Sequence, residues 1–433
     1  NCTMMNRYNY PKKESWTEIC VRPTFDQEQL TTQVQTILGT VRNQGDKALF
    51  AYTQKYDGAA LKSLLVTKAE IQKGIDSVEK PLRLAIQKAK QNIEKFHRSQ
   101  KEPIKTIETT EGVECWRKSI AIEKVGLYIP GGSAPLFSTV LMLGVPATEA
   151  GCKEIVLCTP PNKNGNINPA ILYAAQLVGV TKIFKLGGAQ AIGAMAYGTA
   201  SVPKVFKLFG PGNQFVTKAK ELIQQDGVAI DMPAGPSEVL IIADETCNPK
   251  FVAADLLSQA EHGPDSQVLL LSNSRNVLDQ TEYELKLQLA ELPRKEVTTK
   301  ALENSKSVLC ASKAECIALS NFYAPEHLII ATEYTDAYVD QIVNAGSVFI
   351  GNYSCESAGD YASGTNHTLP TNGYARNYSG VSYDSFVRKV TFQKLSAKGI
   401  QNIGPAIELM AEAEELFAHK NAVTLRLNSL KNV

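Results

Sequence analysis

Between about residue 121 and residue 245 the chain alternates short runs of Val, Ile and Leu with stretches long enough to form a helix. The runs fall at 122–128, 154–158, 182–186, 205–208, 228–231 and 239–242. Strands separated by helices cannot pair as tight hairpins, so the pattern predicts parallel α/β layers. Glycine-rich turns follow several runs: Pro130-Gly131-Gly132, Gly187-Gly188-Ala189-Gln190 and Gly210-Pro211-Gly212-Asn213. Open α/β sheets bind ligands at the carboxyl ends of their strands, which makes these turns candidates for a nucleotide site. None of them completes the dinucleotide fingerprint. After Gly187-Gly188 the next glycine is Gly193, and Phe206-Lys207-Leu208-Phe209 runs into Gly210 without the acid that would hold a ribose. Tight turns with no ligand remain the alternative.

The first quarter reads as helical, with periodic segments at 26–40 and 46–56 broken at Gly45. Residues 80–100 carry Leu82, Leu84, Ala85, Ala89, Ile93 and Phe96 at close to a 3.6-residue period, and a short β segment with a turn at Glu111-Gly112 follows. Beyond 245 helices and strands mix, with a polar, glycine-containing stretch at 351–380. The C-terminal region reads as a helix opened by Pro405, with Ile407, Met410, Ala411 and Phe417 as its apolar face. At 433 residues, 44% of them hydrophobic, the chain can build more than one cored unit. No stretch approaches the roughly 20 apolar residues of a membrane span, and the N-terminal residues lack a signal-peptide layout. The 45 basic and 44 acidic residues leave a net charge of +1 with no basic block, so nothing recruits nucleic acid or a membrane surface. Nine irregularly spaced cysteines, with no Cys-x-x-Cys pair, argue against a disulfide framework. They read as small buried hydrophobes of a soluble protein in a reducing cytoplasm, a single nucleophilic thiol being the alternative.

Five histidines remain, four of them beside acids, glutamine or glycine turns; His97, in a helical stretch, is the exception. Asn248-Pro249 starts a helix and Gly263-Pro264 ends it, which places Gln259 and His262 three apart on one face as half of a metal site. A capping histidine at the helix end is the bland alternative. Glu326-His327, at the entrance to Leu328-Ile329-Ile330, forms a candidate acid/base pair. Adjacent residues of an extended chain point in different directions, so the two would serve different atoms or steps; a surface dipeptide is the alternative. Glu356, Asp360 and His367 share a glycine-rich loop suited to binding, although ordinary polar loops are common. Glu414 and His419 lie about 140° apart on a continuous helix, so the chain must unwind between them if both serve one site. Donors of this kind without thiolate suit zinc or manganese. Three classes stay open on these grounds: an oxidoreductase, a zinc hydrolase of a small amino-acid-like substrate, and a binding module.

Taken in order, Gly126-Leu-Tyr128-Ile-Pro-Gly-Gly-Ser-Ala-Pro-Leu, Gly187-Gly-Ala-Gln190-Ala-Ile-Gly, Gly210-Pro-Gly-Asn213, Ala234-Gly-Pro-Ser237-Glu, Leu257-Ser-Gln259-Ala-Glu-His262-Gly, Ala324-Pro-Glu326-His327-Leu and Ser363-Gly-Thr-Asn-His367 resemble the histidinol dehydrogenase family across almost the whole chain. The resemblance implies two incomplete Rossmann-like α/β domains, a short N-terminal helical segment and a C-terminal dimerisation arm. It places the helical segment at 1–25, one domain at 26–125 plus 234–380, the other at 126–233 and the arm at 381–433. It implies one zinc per subunit on Gln259, His262, Asp360 and His419, and acid/base work by Glu326 and His327. Substrate contacts are implied at Ser237, Gln259, His262, His327, Glu356, Asp360, His367, Glu414 and His419, and NAD contacts at Tyr128, Gln190 and Asn213. The implied activity is NAD-dependent oxidation of histidinol to histidine through the bound aldehyde, in a cytoplasmic homodimer whose arm brings Glu414 and His419 to the partner's site.

Overall fold

The computed structural model describes residues 4–23, 27–131 and 134–431; Cys2, Asp26, Gly132 and Ser133 lie outside the described residues. Two parallel sheets carry the molecule. The larger runs in the order Asn6–Asn9, Lys306–Leu309, Gln267–Ser272, Glu238–Ala243, His327–Ala331, Ser347–Ile350. The smaller runs Lys182–Lys185, Glu154–Thr159, Lys124–Tyr128, Lys207–Phe209, Ala229–Ile230. Every pairing in both is parallel. In the smaller sheet, and in the larger one from Glu238 onward, the chain starts in a middle strand, winds outward on one side, then crosses to the other side of that strand. Each therefore has a switch point, at Glu238–Ala243/His327–Ala331 and at Lys124–Tyr128/Lys207–Phe209.

Both faces of each sheet are covered, which is why inner strands such as Glu238–Ala243 and Glu154–Thr159 are apolar over most of their length and do not alternate with polar residues. Val239, Ile241 and Ala243 pack with Val252, Leu256 and Val277, while Leu240 and Ile242 pack with Trp16, Ile317 and Tyr323 on the opposite face. On the smaller sheet, Leu127 and Leu157 meet the helices Phe137–Ala150 and Pro169–Leu177, and Val156, Cys158 and Phe184 meet Gly188–Tyr197 and Gln27–Gln44. The N-terminal helices at 27–57 and 68–98 thus pack on the smaller sheet, although the sequence reading grouped them with the larger one. Their apolar faces are matched by the small sheet's own helices, as where Leu38 and Val41 join Ala191 and Ile192 in one cluster.

The N-terminal segment is not helical throughout. Asn6–Asn9 is an edge strand paired in parallel with Lys306–Leu309. Asn-Arg-Tyr-Asn has no strand signature; the open edge beside it makes the strand. Pro405, expected to open a helix, lies inside one running Ala397–Ala413, whose true start is capped by the Ser396 hydroxyl accepting from the Gly399 N–H. This helix packs against Phe417–Lys431 and on an antiparallel sheet of Ile107–Thr110, Val113–Ala121 and Val387–Leu395. The turn expected at Glu111-Gly112 is present, with Gly112 at φ 83°.

Because the last strand of the small sheet leads through a short connection, 231–237, into Glu238, the carboxyl end of that sheet faces the amino end of the larger one. The site lies between them.

Candidate active site

At the small sheet's carboxyl end a cleft of about 1690 Å³ is lined by Tyr128, Pro130, Gly131, Pro160, Gly188, Gln190 and Asn213. The turns close tightly around one another. Gly188 sits at φ 65° and its N–H donates to the Tyr128 hydroxyl at 3.0 Å. A Cβ on Gly210, at φ 128°, would lie 2.1 Å from the Tyr128 carbonyl oxygen, so only glycine fits at the switch point. Asn213 caps the helix Gln214–Ile223, its side-chain oxygen accepting from the N–H groups of Phe215 and Val216 at 3.1 and 3.2 Å.

Asn213 also lines a second pocket of about 270 Å³, together with Ser237, His262, Glu326 and His367. The two spaces therefore meet at one residue. Around the smaller one, His262, Glu356 and Asp360 bring one donor atom each within 4.8 Å of one another. Asn248 caps the helix Pro249–Ala260 as expected, but the helix ends at Ala260, so His262 lies in the turn beyond it instead of sharing its last turn with Gln259. The segment read as a loop contains a short helix, Glu356–Tyr361, which puts Glu356 and Asp360 on one face. Gln259 is fully buried with neither amide atom hydrogen-bonded, and both Glu356 carboxylate oxygens are likewise buried and unpartnered. Buried polar groups without partners are rare, and one within the donor cluster with another on the helix leading to His262 mark a place for a ligand.

Glu326 and His327 converge more than an extended dipeptide allows. Ala324 adopts φ 55° ahead of Pro325, and the strand begins only at His327, so Glu326 turns toward its neighbour. Its Oε2 lies 3.5 Å from His327 Nδ1 and accepts the Glu238 N–H at 2.9 Å. His327 Nδ1 donates to the Glu238 carbonyl at 3.1 Å, which leaves Nε2, 3.7 Å from Asp360 Oδ1, as the nitrogen free to accept a proton. Burial works against a charged imidazole here, but the carboxylates of Glu356, Glu326 and Asp360 outweigh it and push His327 well above the usual histidine range. Burial pushes Glu356 up as well, with His327 opposing. For Asp360, burial is outweighed by the His327 hydrogen bond and charge, with His367 and His262 adding to them, so its carboxyl is held down.

His367 is fixed between the Asp360 carbonyl at Nδ1 and the Thr139 hydroxyl at Nε2, both at 3.1 Å, which ties the loop to the small-sheet side. Burial lowers its pKa, and Asp360 opposes the shift. His97 is a packing residue, fully buried, with Nδ1 2.7 Å from the Ile93 carbonyl and Nε2 3.3 Å from Asn366. The helix does break before His419: it ends at Ala413, Glu415 takes φ 59°, and a new helix begins at Phe417. Glu414 and His419 are exposed, on a helix pair whose first member, Ala397–Ala413, packs on the antiparallel sheet. Ser237 borders the smaller pocket and Tyr128 and Gln190 the cleft. The eight described cysteines are free thiols, and none lines either space. Glu238 and Thr139 are the site neighbours that sequence reasoning passed over. Glu238 left a signal, an acid opening the otherwise apolar run Val239-Leu240-Ile241-Ile242; Thr139 left none.

Residues 20–427 match the family model described as histidinol dehydrogenase. The histidinol dehydrogenase of Bacteroides thetaiotaomicron is 60% identical over 428 residues, covering 99% of this chain and 100% of the relative. That of Escherichia coli K12 is 51% identical over 427 residues, covering 98% of each. The crystal structure of histidinol dehydrogenase from Elizabethkingia anophelis superposes with a TM-score of 0.97 at 61% identity, covering all of both chains.

Proposed function

The chain belongs to the histidinol dehydrogenase family, and from that premise we propose how its residues oxidise histidinol. In this reading L-histidinol becomes L-histidine by two successive hydride transfers to NAD through the bound aldehyde, closing a histidine-biosynthetic sequence. The observation that carries it is the donor cluster of His262, Glu356 and Asp360 beside His327, in a pocket that meets the large cleft at Asn213. A zinc hydrolase would leave that cleft without a task.

The orphaned Gln259 amide and the nitrogen/oxygen donor set fit a zinc ion. Gln259, His262 and Asp360 would hold it, with His419 supplied by a second copy of the chain. Bound there, zinc contributes a positive charge that orients the substrate's imidazole and amine. The cleft would hold NAD, the hydride acceptor, against Tyr128, Gln190 and Asn213.

The remaining work falls to side chains of this protein. His327 Nε2 takes the hydroxyl proton, since Nδ1 is committed to the Glu238 carbonyl. A base must be neutral, and the three carboxylates around His327 favour its charged form; a cation held by Asp360 would offset them. Glu326, anchored on the Glu238 N–H and bordering the smaller pocket, activates water for hydration of the aldehyde. Ser237, Glu356, His367 and Glu414 contact the substrate. We place the reaction in the cytoplasm and the enzyme as a homodimer, the eight described cysteines being free thiols.

The test is NAD reduction with histidinol after chelator treatment. Turnover should be lost with the metal and return with zinc. Full turnover in verified metal-free protein, or no reduction of NAD in the zinc-loaded protein, would refute the reading.

A further inference from the structure

Glu238 opens the central strand of the larger sheet, and its main chain serves both members of the acid/base pair. Its N–H donates to Glu326 Oε2 and its carbonyl accepts from His327 Nδ1. Wherever the Glu238 backbone sits, both groups follow. Its buried side chain is gripped in turn by a residue from the far N-terminal segment. Arg22 Nε donates to Glu238 Oε2 at 2.6 Å and Nη2 to Oε1 at 3.0 Å, a two-pronged contact that a lysine cannot reproduce. Tyr323 Oη adds a bond to Oε2 at 3.0 Å.

Arg22 holds the second segment as well. Its Nη2 donates to the Tyr323 carbonyl at 2.8 Å, and its guanidinium lies 3.8 Å from the centre of the Tyr323 ring. Tyr323 is the last residue of the helix Lys313–Tyr323, from which the chain passes through Ala324 and Pro325 directly into Glu326. One largely buried guanidinium, its side chain 14% exposed, thus ties the strand that anchors the pair to the turn that delivers it. Without Arg22 the Glu238 carboxylate would be buried against Tyr323 alone, an arrangement that favours displacement.

We propose that Arg22 is a positioning residue for the reaction, setting the orientation of Glu326 and His327 together through Glu238 and the Tyr323 carbonyl. The proposal rests on the acid/base reading given above. A displacement shared by both groups should slow both hydride transfers while leaving the metal donors and the cofactor cleft intact. Displacements of about 1 Å at reacting groups cost on the order of 100-fold.

The test uses zinc-loaded, full-length Arg22→Ala, Arg22→Lys, Glu326→Gln and His327→Asn. NADH formation is followed in single turnovers from histidinol and from the aldehyde, alongside steady-state kcat and KM and zinc content. Arg22→Ala should lower kcat about 10–100-fold in both half-reactions, with zinc content and both KM values nearly unchanged and Arg22→Lys intermediate. A role confined to stability would lower the unfolding temperature and leave kcat of the folded enzyme alone. Wild-type kcat in a folded Arg22 variant, or a loss expressed only as raised KM, overturns the proposal. Should Arg22→Ala fail to fold, Arg22→Lys decides by the same criterion. If Glu326→Gln and His327→Asn lower kcat while the Arg22 variants do not, positioning alone fails. If those two leave kcat intact, the acid/base reading fails.

Discussion

Glu326 and His327 are neighbours in sequence, and the turn at Ala324-Pro325 brings their functional atoms within 3.5 Å. They remain chemically distinct. Glu326 borders the smaller pocket, where water and substrate would lie, while the free His327 nitrogen is directed toward Asp360. Glu326→Gln should therefore slow aldehyde oxidation more than alcohol oxidation, and His327→Asn should impair both. Stopped-flow runs begun from histidinol and from the aldehyde separate the steps, and a Glu326→Gln defect limited to the first hydride transfer would contradict the assignment. Cysteine chemistry has no place in this scheme. Burial pushes the Cys158, Cys152 and Cys247 thiols up, away from the reactive thiolate. Replacing any one of the eight described cysteines by serine should leave at least about one-tenth of the turnover, because loss of a true nucleophile costs far more. One inactive variant that keeps its fold and zinc would reverse that conclusion.

At the scale of the element, the turns at the small sheet's carboxyl end are built with no spare volume. Gly210 donates its N–H to Asp231 Oδ2 and accepts from Lys220 Nζ, both at 2.8 Å, and Lys220 and Asp231 form a buried ion pair. Gly210→Ala must open this clamp to make room beside the Tyr128 carbonyl. It should cost on the order of 1–3 kcal/mol and raise the KM for NAD by displacing Tyr128 and Asn213. Thermal unfolding and a NAD titration check both, and wild-type values in either would show that the turn has slack. The helix Asp46–Asp57 contributes a different stress to the same cleft. Asp57 has a buried, unpartnered Oδ2, and burial raises its pKa from 3.8 to about 6. An acid whose folded pKa is raised contributes stability below its unfolded value and loses that contribution as pH rises through the folded one. Asp57→Asn should accordingly raise the unfolding temperature at pH 7.5 and change it little at pH 3.5. A larger gain at the lower pH would reverse the sign and exclude this account.

On the scale of the whole molecule, a single chain leaves the proposed metal site short of one expected donor, His419. His419 and Glu414 sit exposed on the C-terminal helix pair, next to exposed Met410, Leu416 and Phe417. A cluster of this kind suits a protein–protein contact, which supports an arm that completes the site of a second copy. Coexpression of His262→Ala with His419→Ala tests the crossing. Each homodimer should be inactive. A mixed dimer would hold one doubly damaged site and one intact site, so random pairing should give about a quarter of wild-type turnover. Verified mixed dimers with no recovered activity would exclude the crossing arm.

Apolar runs separated by helical periods were enough to read parallel α/β layers, because a strand buried on both faces is apolar along most of its length; that there are two such units came from the family resemblance. Asn248-Pro249 and Gly45 fixed element ends through local backbone chemistry. Long-range placement had no such local cause. Asn6–Asn9 became a strand only because Lys306–Leu309 offered an open edge, and the helices at 27–57 joined the small sheet because their apolar faces match its helices. The convergence of Glu326 and His327 on the Glu238 backbone needed a strand start and a turn from separate parts of the chain. The same holds for Arg22, whose partners lie 216 and 301 residues away. Sequence patterns determine which groups are present and which face of an element they occupy. Which distant groups share a proton, a carboxylate or a metal is decided when packing brings their elements together, since hydrogen bonds and charges act over a few ångströms of space whatever the separation along the chain.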